Sequence, residues 1–153
     1  MTFVADSSFL LRLYLRDAHT SAIEHFLTED TKVVSLSELA RIEVLNTLLR
    51  YEGRSEQFIA DLKERGRLQL EWLDWPRAFH KAESLARRFS RALRPADQDL
   101  VVVGAALTMG ATWFLSFDKN SRQRPLAAAA GLRVWPVLDK EEKSLTKRGR
   151  RRS

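Results

Sequence analysis

The sequence predicts an α/β domain built on a mostly parallel central sheet of four to five strands flanked by helices. Short runs of β-branched or aromatic residues alternate along the chain with longer segments of helical periodicity. A length of 153 residues suits one domain with a real core. No internal repeat or long linker interrupts the alternation. Right-handed crossovers would place helices on both sheet faces, giving three layers.

The elements follow from these runs and from the residues that bound them. Four runs predict strands and a weaker fifth joins them, at 3–5, 32–35, 113–116, 132–135 and 68–72. Seven segments predict helices, at 7–15, 20–27, 37–51, 55–65, 77–91, 98–109 and 121–130. Pro76 suits a first helical turn, and Gly53, Gly66, Gly110 and Gly131 suit helix ends. On the third helix, an apolar stripe is expected from Leu39, Ile42, Leu45, Leu48 and Leu49.

Charge is concentrated at the end of the chain. The formal net charge is +6, and residues 140–153 contribute +5 of it through seven Lys/Arg and two Glu. We therefore expect a folded domain at 1–139 and a basic, disordered tail at 140–153. The tail suits an anionic partner such as nucleic acid, and equally a solubilising terminus.

Composition excludes several classes of site. With no cysteine, disulfides and thiolate metal sites are absent, which favours a reducing cytoplasm. The apolar N-terminal run is interrupted by Asp6, Arg12 and Arg16, so neither a signal peptide nor a membrane span is expected.

Acidic residues stand where a parallel sheet would gather them. The predicted strand at 3–5 runs into Asp6, and the run Phe114-Leu115-Ser116-Phe117 runs into Asp118. The carboxyl ends of parallel strands meet at one edge. Glu43 lies among apolar neighbours, and Asp97 and Asp99 open the sixth helix. Grouped carboxylates repel one another, and Mg²⁺ or Mn²⁺ would offset that cost and orient a water for phosphodiester hydrolysis.

Each acid also has an ordinary interpretation. Asp6, Asp118 and one of Asp97 and Asp99 precede predicted helices, where Asp is a favoured N-cap. Glu43 could face solvent. Possible supporting residues are equally ambiguous, since Ser7 could be a capping residue and Asn46 a plain polar helix position.

Four segments together resemble the PIN-domain ribonucleases, specifically the VapC-type toxins of toxin–antitoxin pairs. They are VADSSFLLRLYL, SELARIEVLNTLLR, RPADQDLVVVGAALTMGA and WFLSFDKNSRQRPLAAAAGLRVWPV. The resemblance covers residues 3 to about 137. It implies a PIN-like three-layer fold and a nuclease domain at 1–139.

The resemblance also implies a site and its chemistry. Asp6, Glu43, Asp99 and Asp118 correspond to the acidic quartet, with Asp97 as the alternative third acid. Val102 stands where relatives often carry a His. Further implications are Mg²⁺ or Mn²⁺, cleavage of structured RNA of the tRNA or rRNA class, a homodimer and an antitoxin partner. Two alternatives stay open: an RNA-processing PIN nuclease without an antitoxin, and a non-catalytic nucleic-acid-binding module.

Overall fold

In the residues that the structure describes, five parallel strands form one sheet in the order β3-β2-β1-β4-β5. The structure is a computed structural model that describes residues 1–29, 32–51, 54–64 and 66–152. The strands are β1 (Phe3–Ala5), β2 (Val34–Ser37), β3 (Leu68–Glu71), β4 (Trp113–Leu115) and β5 (Arg133–Trp135). The helices are α1 (Ser7–Leu15), α2 (Thr20–Thr28), α3 (Glu38–Leu49), α4 (Ser55–Glu64), α5 (Trp75–Leu93), α6 (Asp97–Thr108), α7 (Gln123–Ala129) and α8 (Lys140–Arg152).

Helices cover both faces of the sheet, so the predicted three-layer α/β class is confirmed. On β1, Phe3 and Ala5 pack into a core shared with α1 to α4, whereas Val4 packs into a second core shared with α5 to α8. This alternation follows from the two-residue period of a strand. Because the central strand is buried on both faces, it is apolar throughout, as parallel strands usually are.

Two sequence expectations were wrong in detail. The second strand begins at Val34, two residues later than predicted. On α3 the buried face is formed by Ala40, Val44 and Leu48, while Ile42 and Leu49 are 55% and 64% exposed. The predicted apolar stripe was therefore right for Leu48, which is buried, and for Leu45, which packs against the core. It was wrong for Ile42 and Leu49, because a helix rich in leucine and isoleucine offers more than one apolar face. The predicted helix boundaries at Gly53 and Arg65 lie outside the described residues.

The expectation of a disordered tail was also wrong. Residues 140–152 form α8, which packs against α5 and α7. Its inner face carries the spacing i, i+3, i+4 and i+7 of an amphipathic helix. That face buries Glu142, Leu145, Thr146 and Gly149. The high net charge made this pattern hard to recognise, because only one residue of the buried face, Leu145, is a large apolar one. The others are the paired Glu142 and the small residues Thr146 and Gly149.

None of the described helices is long and apolar enough to cross a membrane.

Candidate active site

Asp6 lies at the carboxyl edge of the sheet, one residue beyond the central strand. Its backbone N–H continues the ladder by donating to the Leu115 carbonyl over 3.0 Å. Its side chain is the N-cap of α1 and accepts from the Phe9 N–H over 3.0 Å. The capping interpretation and the site interpretation are thus both compatible with this one carboxylate, which is only 5% exposed.

Two serine hydroxyls hold Asp6. The sequence indicates Ser8, like Ser7, as a residue for binding a metal-bound water or phosphate or for capping the helix, whereas sequence reasoning missed Ser116. Ser8 donates to Asp6 Oδ1 over 2.6 Å, and Ser116 donates to Asp6 Oδ2 over 2.5 Å. Ser8 Oγ also accepts from the Phe117 N–H over 2.9 Å. The available signal was position, because Ser116 directly follows β4 as Asp6 follows β1, and adjacent parallel strands bring such residues together.

The environment of Asp6 disfavours its ionised form. Burial is the largest cause and raises the pKa of Asp6 from 3.8 to about 6, with the nearby charge of Asp118 adding to the rise. Hydrogen bonds from Ser116, Ser8 and the Phe9 N–H act in the opposite direction. The desolvation of the carboxylate outweighs its hydrogen bonds, so the fold keeps an acid where its charge is costly.

Asp118 lies beside Asp6, beyond the end of β4. Its backbone N–H donates to Ser116 Oγ over 3.1 Å, so one hydroxyl contacts both acidic residues. Its carboxylate accepts from the Asn120 N–H over 3.0 Å in a turn. The helix that follows begins only at Gln123, with Arg122 as its N-cap residue. Asp118 is therefore not a helix cap, and that alternative was wrong.

Asp97 and Asp99 differ in their burial and in their contacts. Asp99 is 3% exposed, and its Oδ2 accepts from the Ala96 N–H over 2.8 Å and the Arg122 N–H over 3.2 Å. It therefore joins the start of α6 to the turn before α7. Asp97 is exposed on the first turn of α6. Of the two, only Asp99 is directed into the folded protein.

Glu43 projects from α3 toward the start of α6. It is half-buried, and its Oε1 accepts from Gln98 Nε2 over 2.7 Å. Glu43, Asp6 and Ser7 line one narrow cavity together with Val102. Asn46, one turn further along α3, is exposed and forms no side-chain hydrogen bond within the described chain.

A buried arginine, Arg124, contacts the carboxyl edge of the sheet through the backbone of Ser116. Arg124 is fully buried and donates to the carbonyl of Ser116, the residue that contacts Asp6. It also donates to Glu142 Oε1 over 2.6 Å and to the Pro136 carbonyl over 2.9 Å. Arg124 thus ties the end of β4 to the end of β5 and to α8.

The acids gather at one edge without converging on one point. Asp6 and Asp118 are linked through Ser116, while Glu43 shares the cavity of Asp6 and Asp99 is reached through the turn before α7. Across the described ranges, no three acidic or histidine side chains are arranged to ligate one ion.

The donor chemistry nevertheless fits a hard divalent cation. Every candidate ligand is a carboxylate or hydroxyl oxygen, which is what Mg²⁺ and Mn²⁺ prefer. In the part of the chain that the structure describes, none of the five candidate acids forms a salt bridge with Lys, Arg or His. Buried charges are normally paired or bound to metal, so Asp6 lacks the counter-charge that a cation would supply.

Comparison with known proteins identifies the family of this fold. No curated protein matches the sequence. Ten chains of known structure do match, including Mycobacterium tuberculosis VapC20, described as a sarcin-ricin loop cleaving toxin. That structure is 20% identical, with a TM-score of 0.63, over 88% of this chain and 100% of the other. The profile of the PIN domain matches residues 3–126, which include Asp6, Glu43, Asp99 and Asp118. The chain therefore belongs to the PIN domain family.

Proposed function

We propose that the protein is a metal-dependent endoribonuclease that acts as the toxin of a toxin–antitoxin pair. The observation that carries this proposal is a buried, uncompensated carboxylate, Asp6, beside Asp118 at the carboxyl edge of a PIN-domain sheet. Such a site costs folding free energy in the absence of a cation, so its presence favours a catalytic role over a passive binding module.

Asp6, Glu43, Asp99 and Asp118 are the residues that would hold Mg²⁺ or Mn²⁺. When bound, such an ion supplies an activated water and stabilises the charge on phosphodiester oxygens. The chain itself fixes the ligands: Ser8 and Ser116 orient Asp6, and the amide of Gln98 orients Glu43. The Ala96 and Arg122 N–H groups orient Asp99.

Cleavage of RNA by the purified protein tests this function. We expect hydrolysis with Mg²⁺ or Mn²⁺ and none in excess EDTA. Asp6→Asn, Glu43→Gln and Asp118→Asn should each lower kcat about 100-fold or more, because each removes a ligand charge without changing shape. Asp97→Asn is the matched control and should retain activity, since Asp97 is exposed. Full activity in EDTA, or loss of activity in the Asp97 variant alone, would reject the assignment.

The toxin assignment rests on the likeness to VapC20, whose description names the sarcin-ricin loop as its target. By that likeness we propose a structured RNA of the rRNA or tRNA class as substrate. We further propose an antitoxin partner, a homodimer and a cytoplasmic site of action. An RNA-processing nuclease without an antitoxin would share the cleavage chemistry and differ in its effect on growth, which is tested below.

A further inference from the structure

The outward face of α8 is cationic along its whole length. Apart from Arg150, six exposed cations lie on this helix, and in the described chain none of the six forms a salt bridge or a side-chain hydrogen bond. They are Lys140, Lys143, Lys147, Arg148, Arg151 and Arg152. The two acids of the helix do not balance them, because Glu142 is buried against Arg124 and Glu141 lies in the first turn.

The helix that carries this face is packed on the fold although its charges repel. Lys143 and Lys147, and likewise Lys147 and Arg151, are four residues apart on a helix, a spacing at which like charges destabilise it. The inner face offsets the repulsion: Leu145 is buried, and a side chain on Gly149 would stand 3.2 Å from Ala129 and Leu93. The packed helix therefore presents its cations on one ordered backbone, unlike those of a disordered tail.

The helix begins near the carboxyl edge of the sheet, which carries the candidate active site, and runs away from that edge. Near its start, Asp139 lies 3.8 Å from Lys119, the residue after Asp118. Glu142 then contacts Arg124 at the start of α7, and Arg150 donates to the Ala128 carbonyl near the end of α7 over 2.7 Å. Thirteen helical residues extend about 20 Å. The cationic face thus leads from the carboxyl edge along the side of the molecule.

We propose that this face of α8 is a docking surface for the phosphate backbone of a structured RNA whose scissile bond lies at the acidic edge. The inference rests on the proposed function. Folded RNA presents phosphates at fixed positions over such distances. Lysine and arginine contacts to phosphate position an RNA without reading its sequence, so α8 contributes affinity and orientation while the acidic edge performs the cleavage.

Binding of a synthetic RNA stem-loop in EDTA tests the surface without cleavage. We compare Lys147→Gln/Arg151→Gln with a control of equal charge change, Arg50→Gln/Lys63→Gln, on exposed residues at the ends of α3 and α4. The plot of log K against log salt should become shallower by about two for the α8 variant. Its affinity at low salt should fall about tenfold. The control variant should have the salt slope and the RNA affinity of the unchanged protein.

Glutamine is a good helix former, and removing the like-charge pair should leave the melting temperature of the α8 variant equal or higher.

Equal salt slopes for the two double variants would overturn the proposal. So would retained RNA affinity in the α8 variant combined with lost binding to phosphatidylglycerol vesicles, because the face would then belong to a membrane. If the α8 variant loses binding and the protein cuts no RNA, the docking surface stands and the nuclease fails. If the protein cuts RNA and the salt slopes are unchanged, the nuclease stands and the docking surface fails.

Discussion

At the scale of single residues, Asp6 has two roles that act against each other. As an N-cap it stabilises α1 by accepting the Phe9 N–H, a contribution of about 1 kcal/mol. As a buried carboxylate beside Asp118 it destabilises the folded state whenever it is ionised. The pKa of about 6 records the outcome, since burial outweighs three hydrogen bonds.

The first prediction follows from this pKa. Because the folded-state pKa of Asp6 is raised from 3.8 to about 6, its favourable contribution to stability is complete below pH 4 and is lost as pH rises through 6. Asp6→Asn has no such charge and can still accept the Phe9 N–H. In EDTA the variant should match the native protein near pH 4 and exceed its stability by about 3 kcal/mol at pH 8.

Calorimetric melting temperatures across this range measure the difference, and a difference independent of pH would contradict the prediction. Magnesium offers a second readout at pH 8. It should raise the melting temperature of the native protein and have less effect on Asp6→Asn, because a ligand stabilises the state that binds it.

At the scale of elements, the end of the chain is integrated into the fold by one buried ion pair. The Arg124 side chain is fully buried and that of Glu142 is 10% exposed, with 2.6 Å between Arg124 Nε and Glu142 Oε1. The same arginine donates to the Ser116 carbonyl, so α8 is linked through Arg124 to the residue that contacts Asp6.

Glu142→Gln should therefore destabilise the protein by about 3 kcal/mol or more, because it leaves the buried Arg124 without a counter-charge. Glu83→Gln is the matched control, since it breaks an ion pair with Arg87 whose two side chains are 77% and 57% exposed. The control should leave the free energy of unfolding nearly unchanged, because solvent screens an exposed pair. Urea unfolding measures the free energy of unfolding of both variants. An equal loss in the two variants would mean that the Arg124–Glu142 ion pair does not anchor α8.

A second element-scale prediction concerns the packing of α5 on α6. A side chain at Gly104 would stand 2.8 Å from the Ala78 carbonyl oxygen and 3.0 Å from the Ala82 nitrogen. Because these are backbone atoms, neither can rotate away. Gly104→Ala should cost about 1–3 kcal/mol despite the better helix propensity of alanine. Gly66→Ala, with nothing within 4 Å, is the control. An unchanged urea midpoint for Gly104→Ala would show that the two helices can move apart.

At the scale of the whole molecule, the toxin assignment predicts an effect on cells. Expression of the chain alone should arrest growth, and Asp6→Asn should relieve the arrest by removing a metal ligand. Co-expression of a neighbouring small gene should also relieve it through a stable complex. An antitoxin arginine is well suited to pair with the acidic edge in bidentate geometry. Growth counts and co-purification measure these outcomes. Unimpeded growth with an RNA-cleaving protein would favour the RNA-processing nuclease.

The sequence alone determined the class of the fold and the edge at which the acids gather. Alternating strand and helix periods predicted five strands, and all five are present. Because Asp6 directly follows β1 and Asp118 lies three residues beyond β4, a parallel sheet had to place them at one edge. These features depend on the local hydrophobic period of each element and on the order of the elements along the chain, both of which can be read directly from the sequence.

Tertiary structure decided what depends on neighbours distant in sequence. Ser116 contacts Asp6 across 110 positions, and Asp99 differs from Asp97 in being buried and in accepting from the Arg122 N–H, 23 positions away. That residues 140–152 form a packed helix was likewise not predictable from the sequence. Their charge indicated a solvated tail, whereas the packing of α8 depends on its contacts with Arg124 and Leu93. A residue pattern specifies the period of an element, but which face is buried and which charge is paired depends on the surfaces that the rest of the chain brings against it.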